Sequence, residues 1–448
     1  MLDPKARRDF AEEVVRRLRQ AGFQSLWAGG CVRDILLGLT PADYDVATDA
    51  TPDQVMRSLP YKALTMGVSF GVVRVRHPRI RGNEVEIATF RSDLEYLDGR
   101  RPSGVVFSSP RADAERRDFT INGMFMDPLE DKVIDYVGGR TDLELRVLRA
   151  IGEPAARFEE DRLRLLRAVR FAARFDMRIE PKTLAAIQAM AGQVVSVSPE
   201  RISQELRRML VHRNRATAME MAMDLGLIPA ILPDLAATRG IFLGKPMEPE
   251  ADLWEHALRV IDLLPNEPSF PLVFAALIHK VGAASGQPRD QDDEDPLNRD
   301  RIGGSIADEM CRRLRFSNAE RERVVWLVTH HRSLEHAGKL RESMLKRILA
   351  SPGIEELLAL HRAAALATTG KAEHVAYCEH YLRDQPAGPI NPPPLLTGDD
   401  LKRHGLKPGA HFAVILERLR DAQLERRVND KRQALEWLDR ESDVDGAS

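Results

Sequence analysis

The stretch that decides the fold reads Gly29-Gly30-Cys31-Val32-Arg33-Asp34 and, after a short apolar run, Asp43-Tyr44-Asp45. Because alternate side chains of an extended strand share a face, Asp43 and Asp45 are predicted to bind the same hard cations through oxygen. The paired glycines permit close backbone approach, and the Arg33 guanidinium suits a phosphate group. The pattern is typical of two-metal nucleotidyl transfer.

Neighbouring motifs strengthen this interpretation, since an isolated D-x-D is more often a solvated turn or a helix cap. The chain continues with Leu-Leu-Gly at 36–38, Ala-Thr at 47–48 and Ala-Thr-Pro at 50–52. Together these motifs resemble the signature of the DNA polymerase β-like nucleotidyltransferases, and more closely that of the class II bacterial CCA tRNA nucleotidyltransferase and poly(A) polymerase family. The resemblance implies an α+β head with a mixed or antiparallel sheet, followed by an all-α neck, body and tail.

Composition sets broad limits. The 448 residues, 43% of them hydrophobic, suffice for roughly three domains with ordinary cores. No run approaches the roughly 20 apolar residues of a membrane helix, and the N-terminus lacks an apolar signal core, so a cytoplasmic location is expected. The three cysteines lie far apart without C-x-x-C, which predicts small buried thiols rather than disulfides or a zinc site. A net charge of −2 neither indicates nor excludes nucleic-acid binding.

Glu86 is a candidate third carboxylate. It lies in the apolar stretch Val85-Glu86-Ile87-Ala88-Thr89-Phe90-Arg91, where an unpaired carboxylate would be costly unless the strand is partly exposed. The stretch resembles the family's strand before T-F-R, which implies that Glu86 is a base for the primer hydroxyl or an indirect metal partner. Residues 91–104, which follow, are charged and aperiodic. They read either as a solvated hairpin loop or as the family's flexible loop for the final A addition.

A second nucleotide motif lies at residues 116–124. An arginine and an aspartate there could bridge a phosphate and a ribose 2′-hydroxyl, or could form only a structural surface pair. The sequence matches the family's R-R-D-F-T-I-N-A-M, with Gly123 in place of alanine. The resemblance implies nucleotide binding by Arg117, Asp118 and Asn122.

Residues 158–174 are rich in strong helix formers without a breaker, so one continuous helix is predicted. Either it is an exposed, salt-bridged helix, or its polar stripe faces a nucleotide. Glu160-Asp161 and Arg164 resemble the family's base-selecting E-D-x-x-R. An aspartate accepting from an exocyclic amine and an arginine donating to the ring can read both C and A. The stripe consists of Asp161, Arg164, Arg167 and Arg170, of which the last two suit the triphosphate or hold the stripe.

The C-terminal half resembles the HD phosphohydrolase domain fused to some family members. His256, His279 and His330-His331 fit that pattern, but Lys280 replaces the metal-binding aspartate of the His-Asp pair. An HD-like helical body without hydrolase activity is expected, with these histidines buried or capping. The predicted domains are a catalytic head at 1–150, a base-selecting and RNA-binding neck at 151–236, this body at 237–350 and a tRNA-binding tail at 351–448.

The resemblance therefore implies template-independent transfer of CMP and AMP from CTP and ATP to the tRNA 3′ end, with release of pyrophosphate. Asp43 and Asp45 would bind two Mg²⁺ ions, and Gly29, Gly30, Arg33 and Arg117 would contact the phosphates. The expected partners are the tRNA acceptor stem and elbow, with no membrane and no DNA. A-only addition, poly(A) synthesis, an HD hydrolase with a vestigial head and a noncatalytic tRNA-binding module are the alternatives.

Overall fold

The computed structural model describes residues 3–65, 71–93, 105–242, 252–284, 296–384 and 389–445. The chain forms two compact units, residues 1–236 and 237–448. Within the described residues, no helix is both long enough and apolar enough to cross a membrane. The predicted loop at 91–104 falls largely outside the described residues, so its link to A addition stays a prediction, as does the division into four domains.

A seven-stranded mixed sheet forms the centre of the first unit. Its order is β3-β4-β5-β2-β1-β8-β9, and every pair is antiparallel except β2 with β5. A separate two-stranded ribbon, β6 with β7, lies in the sequence between β5 and β8 of the sheet. The strands are β1 (Ser25–Ala28), β2 (Asp45–Thr48), β3 (Lys62–Thr65), β4 (Val72–Arg76), β5 (Glu84–Thr89), β6 (Arg91–Asp93), β7 (Val105–Phe107), β8 (Met124–Asp127) and β9 (Lys132–Asp135).

Local sequence explains the helices that flank this sheet. The first helix buries Phe10, Val14 and Leu18, which recur every four residues and so share one face. The third begins with a capping box between Thr51 and Gln54, with Pro52 at its first helical position. The helices are α1 (Pro4–Gln20), α2 (Gly30–Leu36), α3 (Pro52–Ser58), α4 (Pro110–Glu115) and α5 (Gly139–Glu144).

Helices complete the first unit and pack against its sheet-bearing part. A short parallel pair, β10 (Val147–Leu148) with β11 (Arg178–Ile179), joins the two parts. Phe119 also packs edge-to-face on Phe171, with ring centroids 5.9 Å apart, so the sheet-bearing part and the helices share buried apolar contacts. The helices are α6 (Pro154–Glu160), α7 (Leu163–Phe175), α8 (Pro181–Met190), α9 (Pro199–Leu210), α10 (Arg215–Asp224), α11 (Leu227–Ile231) and α12 (Pro233–Ala236).

The prediction of one helix over 158–174 is wrong. The helix α6 ends at Glu160, and Asp161 adopts an extended conformation with φ −150° and ψ 101° before α7 begins at Leu163. The Asp161 carboxylate accepts a hydrogen bond from the Leu163 N–H at 3.1 Å. Because an aspartate can cap the N-terminus of a helix, the residue expected to sit within the helix instead starts a new one.

The described part of the second unit is helical, in agreement with the predicted all-α body and tail. Leu396, Leu401, Leu419, Val428 and Leu438 form a buried cluster near the C-terminus. The helices are α13 (Leu253–Asp262), α14 (Phe270–Ile278), α15 (Val281–Ala284), α16 (Pro296–Arg313), α17 (Asn318–His330), α18 (Glu342–Leu349), α19 (Ile354–Thr369), α20 (Glu373–Arg383), α21 (Gly398–Arg403), α22 (His411–Leu424) and α23 (Lys431–Asp445).

All three cysteines, Cys31, Cys311 and Cys378, are free and buried, as predicted. Burial raises the pKa of Cys31 and Cys311 to about 12 and that of Cys378 to about 11. The thiols therefore remain protonated at neutral pH and act as small apolar side chains.

Candidate nucleotide and metal site

The two aspartates of the D-x-D motif lie on one exposed face. The strand β2 begins at Asp45, so Asp43 lies just before the strand rather than within it. The intervening Tyr44 and the following Val46 are buried, whereas Asp43 and Asp45 are exposed. The period-two alternation predicted from the sequence therefore holds across the strand start.

Glu86 joins these aspartates through strand register. In the parallel pair of β2 and β5, Glu86 stands opposite Asp45, and in the antiparallel pair of β4 and β5, Arg74 stands opposite Glu86. Arg74 donates from Nε to Glu86 Oε1 at 3.2 Å and from Nη2 to the same oxygen. The carboxylate predicted to be a base or an indirect metal partner is therefore ion-paired.

The environment of Asp45 suits a hard cation. The protein surrounds this carboxylate on the inner side of the cleft although solvent reaches it from the open side. This desolvation, with the negative charges of Asp43 and Glu86, raises its pKa to about 6 against the opposing effect of Arg117. The described residues contain no group of three or more His, Cys, Asp or Glu side chains that could hold a metal. Metal binding by Asp43 and Asp45 stays a prediction, and it would require further oxygen ligands from the substrate or from water.

Two clefts meet at these aspartates. The smaller, of about 360 Å³, includes Arg7, Arg74, Glu84 and Glu86 in its lining. The larger, of about 670 Å³, is lined by nine arginines and five aspartates, so its net charge is positive. Asp43 and Asp45 line both clefts. Every predicted site residue except Glu86 lines the larger one: Gly29, Gly30, Arg33, Asp43, Asp45, Arg117, Asp118, Asn122, Asp161, Arg164, Arg167 and Arg170.

Gly29 allows the cleft floor to pack tightly. Its φ of 71° and ψ of −118° lie in a region that side chains strongly disfavour. A Cβ atom there would lie 2.6 Å from Arg117 Nη1. The glycine therefore lets the backbone turn into α2 and lets the Arg117 guanidinium approach, where its Nη1 donates to the Asn122 carbonyl at 3.3 Å.

Arg33 is built into the cleft wall. Its guanidinium donates to Asp34 Oδ1 at 2.9 and 2.6 Å and to Asn122 Oδ1 at 2.6 Å. It also packs over the ring of Phe175 at 4.4 Å. Arg33 is only 5% exposed, so its contact with a ligand phosphate stays a prediction.

Asp118 is likewise buried and enclosed by donors. Arg167 donates to Asp118 Oδ2 from Nε at 2.8 Å and from Nη2 at 2.5 Å, and Asn122 Nδ2 donates to Oδ1 at 3.0 Å. Burial opposes ionisation, but Arg167, Asn122 and Arg164 outweigh it and hold the pKa of Asp118 well below its usual range. The Asp118–Arg167 pair thus joins the motif at 116–124 to the stripe on α7, two features that the sequence analysis described separately.

The side chains of the predicted base-reading pair, Asp161 and Arg164, bond to other partners, although the Arg164 N–H donates to the Asp161 carbonyl at 3.0 Å. Arg201 of α9 forms a two-pronged bond to Asp161, with Nη1 to Oδ1 at 3.1 Å and Nη2 to Oδ2 at 2.7 Å. Arg164 donates to Glu160 at 2.6 Å and to the Arg157 carbonyl at 2.8 Å. Arg201 is not among the residues predicted from the sequence for this site. The seven-residue spacing of Arg201 and Arg208 was the sequence signal that could have identified them as site residues, since both line the larger cleft.

Three histidines of the second unit, His256, His279 and His331, lie close together, with ring centroids 5.3 Å apart for His256–His279 and for His279–His331. His279 and His331 are buried, as predicted, and their Nδ1–H groups donate to the Ala276 and Val328 carbonyls at 2.7 Å. Burial first, and then nearby charges that include Lys280, lowers the pKa of both. The same causes lower the pKa of His256, whose Nε2 lies 3.3 Å from His279 Nε2, to about 4. The absence of hydrolase activity stays a prediction.

Comparison with known proteins identifies the relationships of the chain. Residues 26–149 match the family described as poly A polymerase head domain, and residues 176–238 match the one described as probable RNA and SrmB-binding site of polymerase A. The CCA-adding enzyme of Bacillus licheniformis is 36% identical over 261 residues, which span 57% of this chain and 64% of that protein. Poly(A) polymerase I of Salmonella typhi is 37% identical over 244 residues, 51% of this chain and 52% of that protein. The chain thus spans less than two thirds of these relatives.

The fold recurs along the whole chain. The crystal structure of the Bacillus stearothermophilus CCA-adding enzyme in complex with CTP superposes with a TM-score of 0.74 at 24% identity and covers all of both chains. The Thermotoga maritima CCA-adding enzyme complexed with tRNA superposes with a TM-score of 0.60 at 19% identity and covers 97% of this chain. The predicted α+β head with a helical remainder is therefore confirmed.

Proposed function

Because the chain belongs to the poly A polymerase head-domain family through residues 26–149, we propose that it adds CMP and AMP from CTP and ATP to the 3′ end of tRNA. The observation that carries the proposal is the wall shared by two clefts, formed by Asp43 and Asp45. Transfer between two substrates requires that both reach the same carboxylates from different sides. The arginine-rich cleft suits the triphosphate, and the smaller cleft admits the acceptor end.

Enzymes of this family use a divalent metal, and we assign it as Mg²⁺ held by Asp43 and Asp45. Of the two ions, one would lower the pKa of the acceptor hydroxyl and the other would neutralise charge on the leaving pyrophosphate. The acceptor 3′ oxygen bonds to the α-phosphorus as the bond to the β-phosphate oxygen breaks. Glu86, on the acceptor side of Asp45, takes the hydroxyl proton.

The remaining roles follow the larger cleft. Gly29 and Gly30 give close backbone approach to the phosphates, and Arg33, Arg117, Arg167 and Arg170 supply positive charge. Asp118 and Asn122 hold the ribose side of the cleft, and Asp161 with Arg164 reads the amine and acceptor that C and A share. The neck at 151–236 thus selects the base, and the helical tail at 351–448 contacts the tRNA elbow. A cytoplasmic location follows from the proposed substrate.

Similarity to poly(A) polymerase I of Salmonella typhi supports a second candidate, the addition of A alone. The test uses three tRNA transcripts that lack CCA, CA or only A, incubated with Mg²⁺ and labelled CTP or ATP. Products are resolved at single-nucleotide length. Ordered addition of C, C and A that stops after A supports the proposal. Addition of A only to the CC-ended transcript, or long A tails on unrelated RNA, would replace it with the A-adding alternatives.

The metal-site variants D43N and D45N test the chemistry directly. Each removes one negative oxygen donor, so transfer should fall by at least about 10³-fold while tRNA binding is retained. The exposed Asp49 lies just after β2, so D49N is a matched control that should transfer normally. Transfer that survives in both D43N and D45N would overturn the assignment.

A further inference from the structure

Arg74 holds Glu86 in a row of charged side chains that crosses three adjacent strands. Arg74 of β4, Glu86 of β5 and Asp45 of β2 occupy consecutive register positions, so their side chains point to the same face. The smaller cleft is lined by all three of them and by Asp43. The guanidinium is thus the cation nearest to the third carboxylate in this row.

Both bonds from Arg74 end on the same oxygen of Glu86. The Nε and Nη2 atoms donate to Oε1, which leaves Oε2 outside this pair of bonds. The Nη1 atom of Arg74 also lies 3.6 Å from Glu84, which forms a second and longer ion pair with the guanidinium. Arg74 therefore selects one orientation of the carboxylate and keeps one oxygen available to a ligand in the cleft.

Without this bond Glu86 would be poorly fixed. Its side chain is 45% exposed, and glutamate on an exposed strand face populates several rotamers. Asp43 and Asp45 carry like charge on the same face, so repulsion would favour rotamers that turn Glu86 away from them. A charge-assisted bond from Arg74 opposes both effects.

We propose that Arg74 is a positioning residue that holds the Glu86 carboxylate beside Asp45, with Oε2 directed at the acceptor hydroxyl. The inference rests on the proposed nucleotidyl transfer and deepens it. Arg74 acts only through Glu86 and contacts neither the nucleotide nor the metal. Its loss should consequently lower the rate of transfer without weakening the binding of CTP or ATP.

The test compares R74Q, R74K, E86Q and the double variant R74Q/E86Q in steady-state addition to tRNA. R74Q should lower kcat about tenfold, a fraction of what a general base contributes, with little change in KM for CTP or ATP. R74K retains a cation and should recover part of the rate. Because Arg74 acts through Glu86, the double variant should be no slower than E86Q alone.

R76Q is the matched control. Arg76 lies two residues after Arg74 on β4, and its Nε is 2.6 Å from Glu84. R76Q therefore loses a similar ion pair that lies two residues further along the strands from Asp45. The kcat of R76Q should equal that of the unmodified protein. R76Q and R74Q should change the melting temperature by the same amount. The role of Arg74 would be overturned if R74Q left kcat unchanged, or if R74Q lowered kcat in the E86Q variant as much as in the unmodified protein. Either result would leave the proposed nucleotidyl transfer intact. Absence of transfer by the unmodified protein would remove both.

Discussion

Asp118 carries a negative charge in the interior because donors surround it. Besides Arg167 and Asn122, the Phe119 N–H donates to its Oδ1 at 2.8 Å. Asp118 is only 7% exposed, and its lowered pKa means that folding favours the ionised form of its carboxylate. A carboxylate of this kind stabilises the fold above its ordinary pKa near 4, and the contribution is lost as pH falls through the lowered folded value.

We expect D118N to lower the free energy of unfolding by about 2 kcal/mol at pH 7, because it leaves Arg167 without its charged partner. The difference from the unmodified protein should be constant from pH 8 to pH 5 and should shrink below about pH 4. Urea unfolding across this range measures it. D49N, which replaces an exposed aspartate, is the control variant. A difference that persists unchanged at pH 3 would mean that Asp118 titrates normally.

Individual residues show what sequence could and could not predict. The D-x-D face and Gly29 were predictable because period-two alternation and positive φ are local properties. The partners of Arg33, Asp118 and Asp161 were not, because each lies on a segment distant in sequence or on a rotamer that packing decides. Gly123 could be noticed but not explained: a Cβ there would lie 2.7 Å from Val137 Cγ2, a contact that only the fold reveals.

At the scale of elements, the cleft depends on how α7 is held by α9. Arg170 of α7 donates from Nε to Glu205 of α9, and both side chains are buried. Burial lowers the pKa of Arg170 to about 10, although Glu205 opposes the shift. The every-third-residue stripe on α7 was visible in the sequence, whereas the break at Asp161 was not. Helix propensity favours continuity there, and a cap is recognised only when the chain on both sides is placed.

We expect E205A to lower the free energy of unfolding by about 3 to 5 kcal/mol, because Arg170 would stay buried without a carboxylate. The double variant R170M/E205M removes both charges and should recover most of this loss. Chemical denaturation of the three proteins measures the difference. Equal losses in the single and double variants would show that side-chain volume, not charge, sets the stability of this helix pair.

At the scale of the molecule, every residue of the candidate site lies in the first unit. Residues 1–150 share part of their core with the helices that follow, because Phe119 packs on Phe171 and Asp118 pairs with Arg167. Motif spacing gave the order of the parts. It could not show that the neck completes the core and the cleft wall of the head, since that depends on contacts between distant segments.

We expect a fragment of residues 1–236 to fold and to bind CTP and ATP, with weakened binding of tRNA because the proposed elbow-binding tail is missing. A fragment of residues 1–150 is the matched comparison. It should aggregate or fail to melt cooperatively, since Asp118 and Phe119 lose their buried partners. Circular dichroism, nucleotide titration and tRNA gel shifts distinguish the two. Cooperative folding of 1–150 would contradict the shared core.

The alkylation rates of the three buried cysteines can be used to measure local unfolding of the protein. A thiol alkylates as thiolate, and Cys31, Cys311 and Cys378 supply almost none while they stay enclosed. Cys31 lies in α2 beside Gly30 in the first unit, and the other two lie in the second. Labelling rates followed by mass spectrometry would thus time the exposure of each unit separately. If nucleotide slows the labelling of Cys31 alone, its binding reduces local unfolding around α2. The native cysteine then reports binding, and no label has to be engineered into the protein.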